Sequence, residues 1–226
     1  MKPLIVINPN SSTSVTQGIA EAVAPLESFG RPIECLTLAE GPPGIENQRQ
    51  ADLTIGPMLS LAASRDDAAG YVIACFGDPG LHALRDQTPL PVVGIQEAAV
   101  LTALGLGQRL GIISIVAASI PRHMRSFGAM GVMDRIAGDR ALGLGVLELA
   151  DKDRCLAAMI ETGKRLRDDD DANVLITGCA GMAYLRDPLE QATGLPVVEP
   201  CQAGVSMALG QIALSLSHKP EAPNAE

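Results

Sequence analysis

Aromatic side chains are nearly missing from this chain: they make up 2% of it, as three Phe and two Tyr with no Trp. That removes the stacking platform on which single-stranded nucleic acids are held, and a core must be built from Ala, Val, Ile, Leu and Met instead. Positive charge is scarce as well. Seventeen Lys and Arg against 26 Asp and Glu leave a formal charge of −9 and a pI near 4.8, which argues against nucleic acid or an anionic membrane surface as partner. No apolar run approaches the roughly eighteen residues of a membrane span. The opening Met1-Lys2-Pro3-Leu4-Ile5 reaches Asn8-Pro9-Asn10 before a signal-peptide core could form, so a cytoplasmic location is expected. The five cysteines, Cys35, Cys75, Cys155, Cys179 and Cys201, are odd in number and include no Cys-x-x-Cys pair. Neither a disulfide framework nor a zinc site is expected, and the thiols should be free. The acidic run 168–171 lacks the Gly and spaced Glu of a calcium loop and is expected to be a solvated turn rather than a metal site.

What is present is a globular composition, 47% hydrophobic with a mean hydropathy of +0.21, arranged twice. Tyr71-Val72-Ile73-Ala74-Cys75-Phe76-Gly77-Asp78-Pro79-Gly80 and Val174-Leu175-Ile176-Thr177-Gly178-Cys179-Ala180-Gly181-Met182 each deliver a cysteine from a β-rich run to a turn of small residues. Pro91-Val92-Val93 follows the first cysteine as Pro196-Val197-Val198 follows the second. Ala98-Ala99-Val100 aligns with Ala203-Gly204-Val205, and the apolar run at Leu110 opens 106 positions (110 less 4) after the one at Leu4. A period this long excludes a solenoid. The expected fold is α/β: two similar parallel-sheet subdomains related by a pseudo-twofold axis, 1–98 plus 204–226 and 99–203, with the site in the cleft between them.

In chain order, strands are expected at 4–7, 33–38, 68–74 and 90–95 in the first unit and at 110–116, 141–149, 172–177 and 195–198 in the second. Helices are expected at 15–26, at 47–64 with a break at Gly56-Pro57, at 81–86 with Pro79 as its first residue, and at 96–106. Further helices fall at 120–130, 152–167, 184–193 and 203–216. The last of these corresponds to the helix that crosses from the first unit to the second, so it should cross back. Residues 218–226, rich in Pro, Ala and Glu, are expected to be disordered. Ser11, Ser12 or Thr13 should cap the first helix, and Arg122, His123 and Arg125 read as a solvated basic face. Cys35, Cys155 and Cys201 read as inert core thiols.

Ligands of parallel α/β sheets bind beyond the carboxyl ends of the strands. That places Asn10, the Pro42-Pro43 loop, Cys75 and Gly94 on one wall of the cleft and Ser114, Cys179 and Glu199 on the other. Turn amides at Phe76 and Gly77 with a helix dipole behind them should lower the Cys75 pKa. Two opposed thiols suit a racemase, one thiolate removing a proton next to a carbonyl and the other thiol returning one to the opposite face.

The combination Ile7-Asn8-Pro9-Asn10-Ser11, Ile73-Ala74-Cys75-Phe76-Gly77-Asp78-Pro79-Gly80 and Gly178-Cys179-Ala180-Gly181-Met182 resembles the hydantoin and allantoin racemase branch of the aspartate/glutamate racemase superfamily. The resemblance runs from residue 3 to about residue 216. It implies two α/β domains with an interdomain site, no cofactor, a small-molecule substrate and a homo-oligomer. Cys75 and Cys179 are implied as the acid/base pair, with ligand contacts from Asn10, Phe76, Gly77, Ser114, Ala180 and Gly181. Phe76-Gly77 and Ala180-Gly181 stand where the amino-acid racemases of the superfamily have Asn-Thr and Thr-His, which favours a neutral ring over free aspartate or glutamate. Glu199-Pro200 and Ser114-Ile115 also depart from the branch, which has Asp-Gly and Thr-Thr there. The competing readings are an aspartate/glutamate racemase, a related decarboxylase or cis-trans isomerase, and a small-molecule sensor that binds in the same cleft without catalysis.

Overall fold

A computed structural model describes residues 1–218. The strands are β1 Leu4–Asn8, β2 Ile33–Thr37, β3 Gly70–Ile73, β4 Val92–Gly94, β5 Leu110–Ser114, β6 Ile136–Ala141, β7 Val174–Thr177 and β8 Val197–Val198. They form two parallel four-stranded sheets of identical order, β2-β1-β3-β4 and β6-β5-β7-β8. The helices are α1 Thr13–Val23, α2 Gln48–Leu53, α3 Ile55–Ala63, α4 Leu81–Gln87, α5 Ile95–Leu104, α6 Ile120–Ala129, α7 Lys152–Asp169, α8 Arg186–Thr193 and α9 Pro200–Ala213. Among the described residues no helix is long and apolar enough to cross a membrane.

Strands buried on both faces explain the near-continuous apolar runs. Leu4, Val6 and Val72 point into a central core shared by both sheets, while Ile5, Ile7, Tyr71 and Ile73 point into an outer one under α3 and α4. A second outer core covers the other sheet and takes in Cys155, Met159 and Leu189. The centre is occupied by α5 packed on α9, and here small residues dominate: Ala98, Ala99 and Ala103 on one helix, Ala203, Gly204 and Ala208 on the other. A side-chain carbon at Gly204 would come within 3.0 Å of Ile95, so the two helices approach too closely for anything larger. α9 lies against β3 and β4 of the first sheet, and α5 reaches β5, β7 and β8 of the second. Each helix thus serves the other unit's sheet.

Several elements depart from the sequence reading. The break in the second helical stretch falls at Thr54, whose hydroxyl donates to the Ala51 carbonyl, and Gly56-Pro57 sits in the first turn of α3, where proline costs no hydrogen bond. Pro79 lies outside α4, which Gly80 caps in a left-handed conformation. The second strand of the second unit is Ile136–Ala141; residues 146–150 form a 3-10 turn. His218 is exposed but tied to the first sheet, where its Nε2 accepts from the Val92 amide at 3.0 Å. The rest of the expected disordered tail, 219–226, lies outside the described residues. The acidic run 168–171 closes α7, with Asp170 paired to Arg140 and Asp168 to Arg167.

The two crossing helices are capped by carboxylates, half-buried Asp78 and buried Glu199. Asp78, at φ 47°, accepts the Gln96 and Glu97 amides of α5, both at 2.9 Å. Glu199 accepts the Cys201 and Gln202 amides of α9 at 2.9 and 2.7 Å. Burial pushes both carboxyls up to about 7, against the pull of those amides. A carboxyl raised above its unfolded value contributes stability below the unfolded pKa, and that stability is lost as pH rises through the folded one. The melting temperature should therefore fall between pH 5 and pH 8, as followed by circular dichroism. His218, lowered by burial, works the other way below about pH 6.5. In Glu199→Gln the fall should be shallower, on top of a uniform loss of about 1 kcal/mol for the weakened cap.

Candidate active site

The two cysteines that carry the repeated motif are held by the same local device. Each stands two residues beyond its strand, and just before it the Ala74 amide donates to the Ile7 carbonyl and the Gly178 amide to the Ile113 carbonyl, both at 2.8 Å. The pairing extends the ladder one step and then releases the chain, so each thiol emerges at the carboxyl edge of its sheet. A side-chain carbon at Gly178 would lie 2.8 Å from the Ile113 carbonyl oxygen, which explains the glycine before Cys179.

Both thiols open onto one narrow cleft between the two units. Asn10, Val15 and Ile45 contribute from the first unit beside Cys75 and Phe76. Ile115, Ser119, Arg122, His123, Val146, Ala180 and Gly181 contribute from the second beside Cys179. The loops after β2 and β6 meet over it, where the Val146 amide donates to Glu46 Oε1 at 2.9 Å.

The polar groups are fixed by their neighbours. The Asn10 side-chain oxygen accepts from Asn8 Nδ2 at 3.0 Å and from the Ser12 amide at 2.9 Å, which leaves its NH2 end as the donor available to a ligand. Ser12 caps α1. The Cys75 thiol donates to the Phe76 carbonyl at 3.8 Å, whereas the Cys179 sulfur accepts the Gly181 amide at 3.4 Å. Burial pushes the Cys75 thiol up to about 11 and Cys179 up to about 12, although each retains some exposure into the cleft. The Arg122 guanidinium pulls both down by a smaller amount. The expected lowering of Cys75 by turn amides and a helix dipole is overturned: desolvation is the larger effect, and α4 is a short helix that starts at Leu81.

Not every expected residue lies on the cavity wall. Gly77, at φ 112°, lies behind it, and a side-chain carbon there would meet Arg122 Nε at 2.8 Å. Ser114 is fully buried; its hydroxyl donates to Asp139 Oδ1 and lies 3.2 Å from His123 Nδ1. Glu199 and Gly94 belong to the helix starts, and Ile45 rather than the prolines faces in from the 40–46 loop.

Arg122 and His123 are the residues that sequence reasoning placed wrongly. They are 7% and 1% exposed and line the cavity, so they form no solvated face. Arg122 Nη2 donates to the Phe76 carbonyl at 3.1 Å, and His123 Nδ1 lies 2.9 Å from Asp139 Oδ2. Spacing offered no signal: Arg122 and Arg125, at i and i+3, belong to one helix face, yet Arg122 is buried and Arg125 exposed.

Residues 4–208 match the family model described as Asp/Glu/hydantoin racemase. The chain belongs to that family. A hydantoin racemase of Pseudomonas sp. (strain NS671) is 33% identical over 206 residues, 90% of this chain and 83% of that protein. Another from Rhizobium meliloti is 34% identical over 210 residues, covering 90% and 86%. The crystal structure of allantoin racemase from Pseudomonas fluorescens superposes with a TM-score of 0.93 at 29% identity, covering 99% of this chain and 98% of that one. Within the racemase family, paired α/β units such as those seen here are the shared architecture of these relatives.

With pKa values near 11 and 12, the cleft thiols hold little thiolate at neutral pH. At pH 8 iodoacetamide should label Cys75 and Cys179 on the order of 100-fold more slowly than a free cysteine of pKa about 8.5. The rates should climb about tenfold per pH unit up to pH 10, as read by peptide mass spectrometry. Arg122→Met should slow both further.

Proposed function

We propose that the protein is a cofactor-independent racemase of hydantoin-type rings, 5-substituted hydantoins or allantoin-like compounds, working by 1,1-proton transfer between Cys75 and Cys179. The observation that carries the reading is the placement of two thiols at equivalent strand ends on one small cavity. The family relationship and the hydantoin and allantoin racemases among its relatives support the substrate class. One thiolate takes the C5 proton of the ring, the electron pair passes onto the neighbouring carbonyl oxygen, and the opposite thiol delivers a proton to the other face. Reversal exchanges the two sulfurs.

The thiols are suited to this exchange by their unequal contacts. Cys179 receives an amide hydrogen bond, as a thiolate would need, and Cys75 donates one, as a thiol can. Asn10, Phe76, Ala180 and Gly181 contact the ring in this scheme, while Gly77 and Ser114 act from behind the wall on Arg122 and His123. A narrow cleft with no aromatic platform beyond Phe76 favours a small compound over a polymer.

Single enantiomers of hydantoins, allantoin, aspartate and glutamate, incubated in heavy water, separate the alternatives by optical rotation and deuterium at the α-carbon. Racemisation with exchange of the ring compounds is expected. Release of carbon dioxide from a malonate-type acid would instead select a decarboxylase, and binding without exchange a sensor. Cys75→Ala and Cys179→Ala should each lower racemisation by at least about 1,000-fold, with one-sided exchange surviving for opposite enantiomers. Full activity in either variant removes that cysteine from the mechanism.

A further inference from the structure

Two neighbouring side chains on α6, both lining the cavity, carry buried polar atoms that find no partner among the described residues. Arg122 spends one nitrogen on the Phe76 carbonyl, and its Nε and Nη1 have no partner among the described residues. His123 spends Nδ1 on Asp139, and among the same residues its Nε2 has no partner. Both residues line the cavity and both meet at Phe76, whose ring stands edge to face against the imidazole at 4.9 Å and 84°. Buried polar groups are seldom left unpaired unless a ligand or water completes them.

The pair is polar in two senses. Asp139, with no side-chain exposure, accepts from both Ser114 and His123. A carboxylate can only accept, so Nδ1 carries the proton that faces it, and Nε2 is the open ring nitrogen, an acceptor whenever the ring is neutral. Arg122 offers donors alone. A donor beside an acceptor matches an O=C–N–H group whose oxygen and hydrogen lie on the same side. Among secondary amides only the cis form has that shape, and small rings enforce it. A free carboxylate offers acceptors only and would leave Nε2 unmatched.

We infer that Arg122 and His123 together bind the C4 carbonyl and N3–H edge of the ring, Arg122 donating to the carbonyl oxygen and His123 Nε2 accepting from N3–H. This rests on the racemase reading above and narrows its substrates to rings with an unsubstituted N3. When thiolate takes the C5 proton, the electron pair moves through C5–C4 onto the C4 oxygen, where the Arg122 cation meets the developing charge. N3 keeps its proton throughout. The opposite thiol then protonates C5, and the pair returns from oxygen. Both enantiomers present the same edge, so one recognition site serves both directions.

The test uses 5-methylhydantoin and its N1-methyl and N3-methyl derivatives, followed by optical rotation and deuterium incorporation. For the wild-type protein N3-methylation should lower kcat/KM by at least about 100-fold and N1-methylation by less than about tenfold. His123→Ala should lower kcat/KM for the parent by about 100-fold and leave the N3-methyl compound within about threefold, so that the preference disappears. Equal wild-type rates on parent and N3-methyl compound would overturn the inference. So would a His123→Ala variant that keeps the parent rate and gains on the N3-methyl compound, since that pattern means bulk rather than a hydrogen bond. If the variant does not fold, the wild-type contrast between N1 and N3 decides alone. Failure of all three compounds to racemise or exchange would strike the underlying racemase reading instead.

Discussion

The close approach of α5 and α9 is the constraint on which the rest depends. Each helix leaves one sheet and packs on the other, and they can meet only because Ala and Gly fill the contact. Side chains of that size let two parallel sheets stand with their carboxyl edges toward a common cleft, and the cysteines follow because each is tied to its strand by the same amide-to-carbonyl step. The scarcity of aromatic residues has its physical reason here. A core centred on two abutting helices has room for Ala and Val but little for Trp. The carboxylates that cap these helices hold their first turns beside the cleft, at the cost of a folded state that prefers those groups protonated.

A second tension lies within the cleft. Desolvation that strengthens every electrostatic contact in a closed site also disfavours the thiolate that the proposed mechanism needs as base. The site compensates with a buried guanidinium near both sulfurs, an amide directed at Cys179, and little room for water. A thiol of high pKa is a poor base by population but a strong one per ionised molecule, which suits removal of a weakly acidic C–H. The charge that favours thiolate at both sulfurs is that of Arg122 rather than the helix dipole that the Pro79-Gly80 turn suggested.

How much of this the sequence displayed depended on whether the signal was periodic or positional. The duplication, the parallel strands and the two cysteines were legible because apolar runs and small-residue turns recur at matching offsets. The second strand of the second unit was not. Ile136–Ala141 contains Gly138, Asp139 and Arg140 and has no apolar run, because as an edge strand it buries polar residues toward α6 and pairs Arg140 with Asp170. The same strand hides the site's charged partner, for Asp139 is adjacent to a surface arginine in sequence yet fully buried. Arg122 and His123 were read by composition as solvated, and only the tertiary position of α6 over Phe76 turns them inward.

The two units are alike in backbone and unlike in chemistry at one matched place. Asn8, Thr16 and Thr37 form a neutral knot between β1, α1 and β2, with Thr16 2.6 Å from Thr37 and 3.0 Å from Asn8. Ser114, His123 and Asp139 occupy the corresponding junction of β5, α6 and β6. The proton transfer proposed above calls for matched groups on both faces of a carbon, and in that scheme the cysteines supply the symmetry. Recognition calls for the reverse. A ring whose carbonyl edge could bind to either unit would present its C–H in two registers, and a thiol placed for one would miss the other. A neutral knot on one side and a charged one on the other removes that ambiguity, so a duplicated scaffold can keep its sulfurs equivalent while fixing the orientation of what lies between them.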